Sequence, residues 1–186
     1  MRGRPRDPSV DAAIAAAAAD VLQRRGYRGT TVRAVAAQAG VSEPTVYLRY
    51  PTKGDLAMAG IAHLPLLAEP PDTGDAFDDL TALLTDIVTT AEAIGLTLAG
   101  TVLAQEDEHP ELLERWRATV GAAFRSAVGR IVERGQRRGQ LKAGLSGQLV
   151  ADLLLGPYLA HYTIRGRPPR GWARTVIETL RPGLQA

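Results

Sequence analysis

The sequence predicts an all-α protein. An N-terminal three-helix helix-turn-helix domain is joined through a fourth helix to a helical-bundle C-terminal domain. Three observations carry this reading. Apolar residues recur three and four apart along most of the 186-residue chain, the period of a helix with one buried face. No segment has the β-branched alternation of a strand. Gly, Pro and charged residues interrupt the pattern at helix-sized intervals.

The elements follow in order. Residues 1–8 are a basic arm containing Pro and Gly. The first helix starts at Asp7 or Ser9, with Pro8 allowed in its first turn. It carries Val10, Ile14, Ala18, Val21 and Leu22 on one face and ends at Gly26 in a left-handed cap. The second helix is expected over Thr31 to Ala39, the third over Glu43 to Tyr50, stopped by Pro51. A fourth opens at Thr52 or Lys53 and carries Leu56, Ile61 and Leu64. This places one domain at 9–64. After the break at Pro65, Pro70, Pro71 and Gly74, a second domain spans 75–186. Its helices are expected at about 75–92, 94–106, 110–138, 146–165 and 169–181. In the longest, Leu112, Leu113, Trp116, Val120, Phe124, Val128, Ile131 and Val132 form one apolar stripe.

Composition narrows the function classes. Hydrophobic residues make up 45% of the chain, ordinary for a globular protein. No run reaches the roughly 18 apolar residues of a membrane span, and no signal-peptide pattern opens the chain. Without cysteine, disulfides and thiolate metal sites are excluded, and a cytoplasmic location is expected. Residues 1–55 hold nine Lys/Arg against five acids, a net +4, while the remainder is −2. A basic end on an acidic body fits one nucleic-acid-facing surface.

The stretch from Thr31 to Lys53 gives that surface a form. Gly40 stands where a tight turn needs positive φ, and Ser42 where the next helix needs an N-cap. Ala36 and Val46 have the spacing of residues that lock two helices across such a turn, with Val35 and Val41 completing a small core. A helix-turn-helix presents its second helix to the DNA major groove. Thr31 caps its helix or donates to phosphate. Arg33 forks onto guanine or grips phosphate. Ser42 caps the reading helix. Glu43 accepts from cytosine N4 or adenine N6, or else serves the helix terminus or pairs with Arg33. Pro44 fits the first turn and reaches a thymine methyl. Thr45 and Tyr47 point outward if Val46 points inward. Leu48 is a thymine contact or packing. Arg49 and Lys53 are phosphate clamps or solvated charges. Arg2, Arg4 and Arg6 are a soluble tail or an arm that orders on DNA.

These residues resemble the DNA-binding domain of TetR-family transcriptional regulators. The matching pattern is Gly29-Thr30-Thr31-Val32-Arg33, Ala36, Ala39-Gly40-Val41-Ser42, Thr45-Val46-Tyr47, Lys53 and Leu56. It covers about the first third of the chain. The resemblance implies operator-backbone contacts by Tyr47 and Lys53. Tyr50 stands where Phe or Trp is usual, and Leu48 where Arg or His is common. These departures bear on which operator is read, not on the fold.

The resemblance also implies that 75–186 binds an effector and dimerises. Family placement makes His63, Ile87, Thr97, Thr101, Trp116, Phe124 and Tyr158 pocket candidates, with core packing the competing role for Trp116, Phe124 and His63. Aromatics are only 5% of the chain, so an apolar or amphipathic small molecule is expected. One reading helix buries too little surface to find a single site, so a homodimer on a palindromic double-stranded operator is expected. Leu149, Leu153, Tyr158, Tyr162, Ile177 and Leu180 are the interface candidates, with packing inside one protomer as the alternative. Glu106-Asp107-Glu108-His109 adjoins Pro110 at a helix boundary, where solvated charges are normal, so no metal is expected. No catalytic signature or cofactor motif appears. Two readings stay open: a ligand-responsive repressor, and a DNA-binding module whose C-terminal domain only dimerises or binds a protein. An enzyme on a helical scaffold is the remote third.

Overall fold

The computed structural model describes residues 7–63, 69–94, 96–104 and 106–186. Arg2, Arg4, Arg6 and Leu64 lie outside them. The described residues fold as α1 (Pro8–Gly29), α2 (Val32–Ala39), α3 (Glu43–Tyr47), α4 (Lys53–His63), α5 (Ala76–Ile94), α6 (Thr97–Ala104), α7 (Pro110–Trp116), a π-turn (Arg117–Gly121), α8 (Ala122–Arg137), α9 (Gly147–Arg165) and α10 (Trp172–Leu184). No strand occurs among them. Asp7 caps α1 by accepting from Ser9 N at 2.9 Å. Gly26 breaks the α1 dihedrals at φ 63°, and one more turn, Tyr27–Gly29, follows it. The third helix stops at Tyr47 rather than Tyr50, and the next three residues close it as a turn: Tyr50 N donates to Val46 O at 2.8 Å.

The chain forms two compact units that are not consecutive in sequence. Among the described residues, one comprises 7–63, 93–94, 96–104 and 106–120, the other 69–92 and 121–186. The first unit has two cores. Ile14, Ala17, Ala18, Val21, Val35, Ala36, Val46 and Leu56 form one, around the helix-turn-helix. Leu22, Tyr27, Ala57, Met58, Ile61, Leu98, Val102, Leu112 and Leu113 form the other, with Trp116 and Val120 against it. The small residues of α1 let α4 approach closely. A Cβ added at Gly60 would fall 2.8 Å from the Ala18 backbone, so glycine there sets the α1–α4 spacing.

The second unit packs α5, α8, α9 and α10 around Phe77, Leu80, Leu84, Val128, Ile131, Leu154 and Ile177. Asp79 is fully buried there. It accepts from Thr73 N and Thr73 Oγ1, both at 2.8 Å, and faces Arg134 at 3.3 Å, so its charge is partnered.

The helix expected at about 110–138 is one helical run over 110–137, with a five-residue π-helical segment at Arg117–Gly121. Its stripe divides between cores there: Leu112, Leu113, Trp116 and Val120 in the first unit, Phe124, Val128, Ile131 and Val132 in the second.

Candidate nucleic-acid interface

The turn between α2 and α3 is built from local hydrogen bonds. Thr31 caps α2, its Oγ1 accepting from Ala34 N at 3.1 Å. Gly40 ends α2 at φ 69° and ψ 30°, the left-handed region that costs most residues with a Cβ about 1–2 kcal/mol and Asn less. Val41 N then donates back to Ala36 O at 3.0 Å. Ser42 Oγ accepts from Thr45 N at 3.3 Å and shares a 2.8 Å hydrogen bond with Thr45 Oγ1. Each cap contributes about 1 kcal/mol. Val46 is wholly buried between the two helices, and burying a valine contributes roughly 1.5–3 kcal/mol.

With Val46 inward, the outward face of α3 is fixed. Glu43 and Pro44 are exposed. Tyr47 is 53% and Leu48 74% exposed. Leu48 therefore does not pack in the domain. No ion pair joins Glu43 to Arg33 among the described residues, and Ser42 rather than Glu43 caps the helix, which leaves the Glu43 carboxylate facing solvent. Thr31 and Arg33 line an open groove between α1 and α2 with Arg24 and Arg25; Arg24 pairs with Asp20 at 2.8 Å. Arg49 turns inward. Its side chain is 11% exposed, pairs with Asp11 at 2.7 Å and donates to Thr45 O at 3.3 Å. The expected phosphate clamp at 49 is corrected on that ground: the guanidinium ties α3 to α1.

Lys53 stands at the first position of α4. Its Nζ donates to Arg28 O at 3.0 Å and lies 4.6 Å from the Tyr27 ring centroid. The same helix start carries a reciprocal cap. Asp55 N donates to Thr52 Oγ1 at 3.0 Å, and Asp55 Oδ2 accepts from Thr52 N at 3.1 Å and Thr52 Oγ1 at 2.7 Å. Arg115 of α7 donates to the other Asp55 oxygen. Burial pushes the Asp55 carboxyl up, but the hydrogen bonds from Thr52 and Arg115 outweigh it and hold the pKa below the usual 3.8. Tyr27, Asp55 and Arg115 were not legible as site residues. Tyr27 reads as a core aromatic, and Arg115 meets Asp55 across 60 positions of sequence, which no local pattern signals.

The pocket candidates fall in both units. Thr101 and Trp116 are half-buried in the first unit, while His63 is exposed at the end of α4 and so is not a core histidine. The side chain of Thr97 lies outside the described residues. Ile87, Phe124 and Tyr158 belong to the second unit, with Ile87 and Phe124 packed in its core. An open groove of about 500 Å³ beside α8 and the start of α9 is lined by Arg125, Gly129, Glu133 and Gln148, none of them a candidate. Tyr158 is 1% exposed, and its hydroxyl has no partner among the described residues. Burial pushes its pKa up to about 12, with Glu92 and Tyr162 adding to the rise. Its ring packs against Tyr162 and Trp172, with centroids 6.2 and 6.1 Å away.

The interface candidates divide in two. Leu149 and Leu153 are exposed on α9, and Ile164 lies 79% exposed near its end. Ile177 and Tyr158 are sealed inside their own unit, and Leu180 packs against the same core. A side chain with no free surface cannot meet a partner, so Ile177 and Tyr158 are corrected to core residues. Tyr162 is half-buried.

A helix-turn-helix with a locked turn, an exposed second helix and an all-helical body defines a DNA-binding transcriptional regulator. Residues 14–59 match the model for bacterial regulatory proteins of the tetR family. Residues 70–180 match the tetracyclin repressor-like C-terminal domain. The chain belongs to the TetR family of transcriptional regulators, whose members are not enzymes. It is 27% identical to the HTH-type regulator YdeS of Bacillus subtilis, over 100% of this chain and 94% of that one. It is 31% identical to the HTH-type regulator Rv1556 of Mycobacterium tuberculosis, over 89% and 84%. Its fold resembles the TetR-family regulator SCO0332, with a TM-score of 0.75 at 24% identity over 95% and 99% of the two chains. Two further structures share the fold with bound molecules. FadR of Bacillus subtilis, in complex with stearoyl-CoA, has a TM-score of 0.64 at 19% identity over 92% and 98%. A regulator from Saccharomonospora viridis, in complex with choline, has 0.65 at 16% over 97% and 100%. No helix among the described residues is long and apolar enough to cross a membrane.

Proposed function

We propose that this regulator is a homodimeric repressor that binds a palindromic operator and is released by a small apolar or amphipathic effector. The observation that carries the DNA half is the outward face of α3. Glu43, Pro44, Tyr47 and Leu48 are presented on a helix whose turn, caps and buried Val46 leave it little freedom. Pro44 and Leu48 suit thymine methyls, and Glu43 suits cytosine N4 or adenine N6. Thr31, Ser42, Thr45, Tyr47 and Lys53 suit the phosphates, and Arg33 either a phosphate or a guanine. Arg2, Arg4 and Arg6 are assigned to an arm that adds minor-groove contacts.

The dimer half is supported by α9. Leu149, Leu153 and Ile164 lie exposed at four-residue and eleven-residue steps with Gly156 and Ala160 between them, which places all five on one helical face. A stable interface needs about 800 Å² from each partner, more than a single helix face supplies, so α10 residues around it contribute. The effector half is supported by the two structures of the same fold with bound molecules.

Selection on random duplex DNA tests the first half, and a thermal-shift screen of apolar and amphipathic compounds the second. The expected results are a palindromic consensus and a compound that both stabilises the protein and weakens operator binding. Release by ~100-fold needs only ~2.7 kcal/mol of differential affinity. A consensus without any such compound would favour the ligand-independent reading.

A further inference from the structure

Lys53 is the first residue of α4, yet its ammonium is held by α1. It donates to Arg28 O at 3.0 Å and lies 4.6 Å from the Tyr27 ring centroid. Tyr27 is buried in the core that also contains Leu98 and Val102 of α6, and its hydroxyl is hydrogen-bonded with the Thr101 side chain of α6. One ring therefore meets the α4 cation with its face and α6 with its edge. Core packing explains why an aromatic residue is there. It does not require a polar contact at each end of the ring.

A lysine side chain is flexible, and ordering it on a phosphate costs entropy. A ring face and a carbonyl that already fix the ammonium remove part of that cost, and two of its three N–H donors stay free. We infer that Tyr27 is the positioning residue that seats Lys53 for a DNA phosphate and makes α6 sensitive to whether that phosphate is bound. The inference rests on the reading of Lys53 as a backbone clamp. Its second clause rests on the shared Tyr27 ring, and linkage makes it reciprocal: a coupling from the phosphate to α6 is equally a coupling from α6 to the phosphate.

The test uses the full chain and a short mixed-sequence duplex, because phosphate contacts do not depend on sequence. Affinity is measured across a salt series. Lys53→Ala is expected to reduce the slope of log K against log salt by about 0.9, one phosphate. Tyr27→Leu is expected to lose part of the same contact, and the double variant to lose no more than Lys53→Ala alone. Tyr27→Phe keeps the ring and is expected to rescue the slope. An unchanged slope in Lys53→Ala overturns the clamp and this inference with it. A normal loss in Lys53→Ala with a full slope in Tyr27→Leu, or additive losses in the double variant, overturns this inference alone. Hydrogen exchange supplies a readout in variants that keep the core. Duplex DNA is expected to slow exchange at Leu98–Leu103 in the wild type and not in Tyr27→Phe. Equal slowing in both overturns the link to α6.

Discussion

The two ends of this chain expose apolar surface in different ways. In the helix-turn-helix, Leu48 and Tyr47 stand out from a five-residue helix held by Ser42, Gly40 and Val46. On α9, Leu149, Leu153 and Ile164 stand out from a 19-residue helix whose opposite face carries Val150, Ala151, Leu154 and Tyr158 into the core. The first exposure is small and positioned by local caps and by the buried Val46, with Arg49 tying it to Asp11 of α1. The second runs the length of a helix. A short, locked patch suits reading a surface of fixed shape such as a groove, and a long stripe suits another helix of the same kind.

The comparison breaks first at α9. Leu149→Glu with Leu153→Glu places charges in the stripe without disturbing the buried face. The dimer is expected to fall apart, and operator affinity to drop by 100-fold or more, because each monomer then holds one half-site. Sedimentation and operator titration check both effects. A variant that remains dimeric with full affinity would move the interface elsewhere.

The next largest effect belongs to the turn. A Cβ added at Gly40 would meet no atom within 4 Å, so a substitution there meets backbone strain and no clash. Gly40→Val is expected to destabilise the first unit by about 1–2 kcal/mol, and Gly40→Asn by less, since Asn tolerates the left-handed region. Chemical denaturation gives the two values, and their order is the check.

How much of this was legible follows from the same contrast. Gly40, Ser42, Ala36 and Val46 act over a few residues, so turn and cap chemistry exposes them in the sequence. The inward Arg49 escaped because its partner, Asp11, lies on another helix. The π-helical segment of the long helix left a trace that is easy to misread. Leu112, Trp116, Val120, Phe124 and Val128 recur every four residues, which in a 3.6-residue helix drifts by about 40° per step. A stripe that keeps this spacing cannot stay on one face, and the π-turn is where it passes from one core to the other. An effector pocket would leave no such trace, because it would depend on side chains brought together from distant segments.

Asp55 links the start of α4 to α7, and acid tests it. Its pKa is held below the ordinary value in the folded protein, so the ionised form stabilises the fold above about pH 4. That contribution is lost as pH falls through the folded pKa. Asp55→Asn is expected to cost about 1 kcal/mol at neutral pH, the scale of a lost capping interaction. It is also expected to flatten the acid limb of a stability–pH profile. Equal steepness in the variant and the wild type would show that other carboxylates set that limb.

The smallest effect on stability is expected at Tyr158, where the comparison is sharpest. Every hydroxyl cap in the helix-turn-helix has a partner, whereas the Tyr158 hydroxyl is buried without one among the described residues. An unmade buried hydrogen bond costs roughly 1–3 kcal/mol, so a residue kept only for packing would lose nothing as phenylalanine. Tyr158→Phe is therefore expected to leave stability unchanged or raise it by about 1 kcal/mol. If the hydroxyl serves an effector, the same variant should respond less to any compound that releases the wild type. Its high pKa keeps the hydroxyl protonated, so it would donate to an acceptor on that compound. A loss of stability in Tyr158→Phe would instead reveal an internal partner for the hydroxyl and remove it from the pocket.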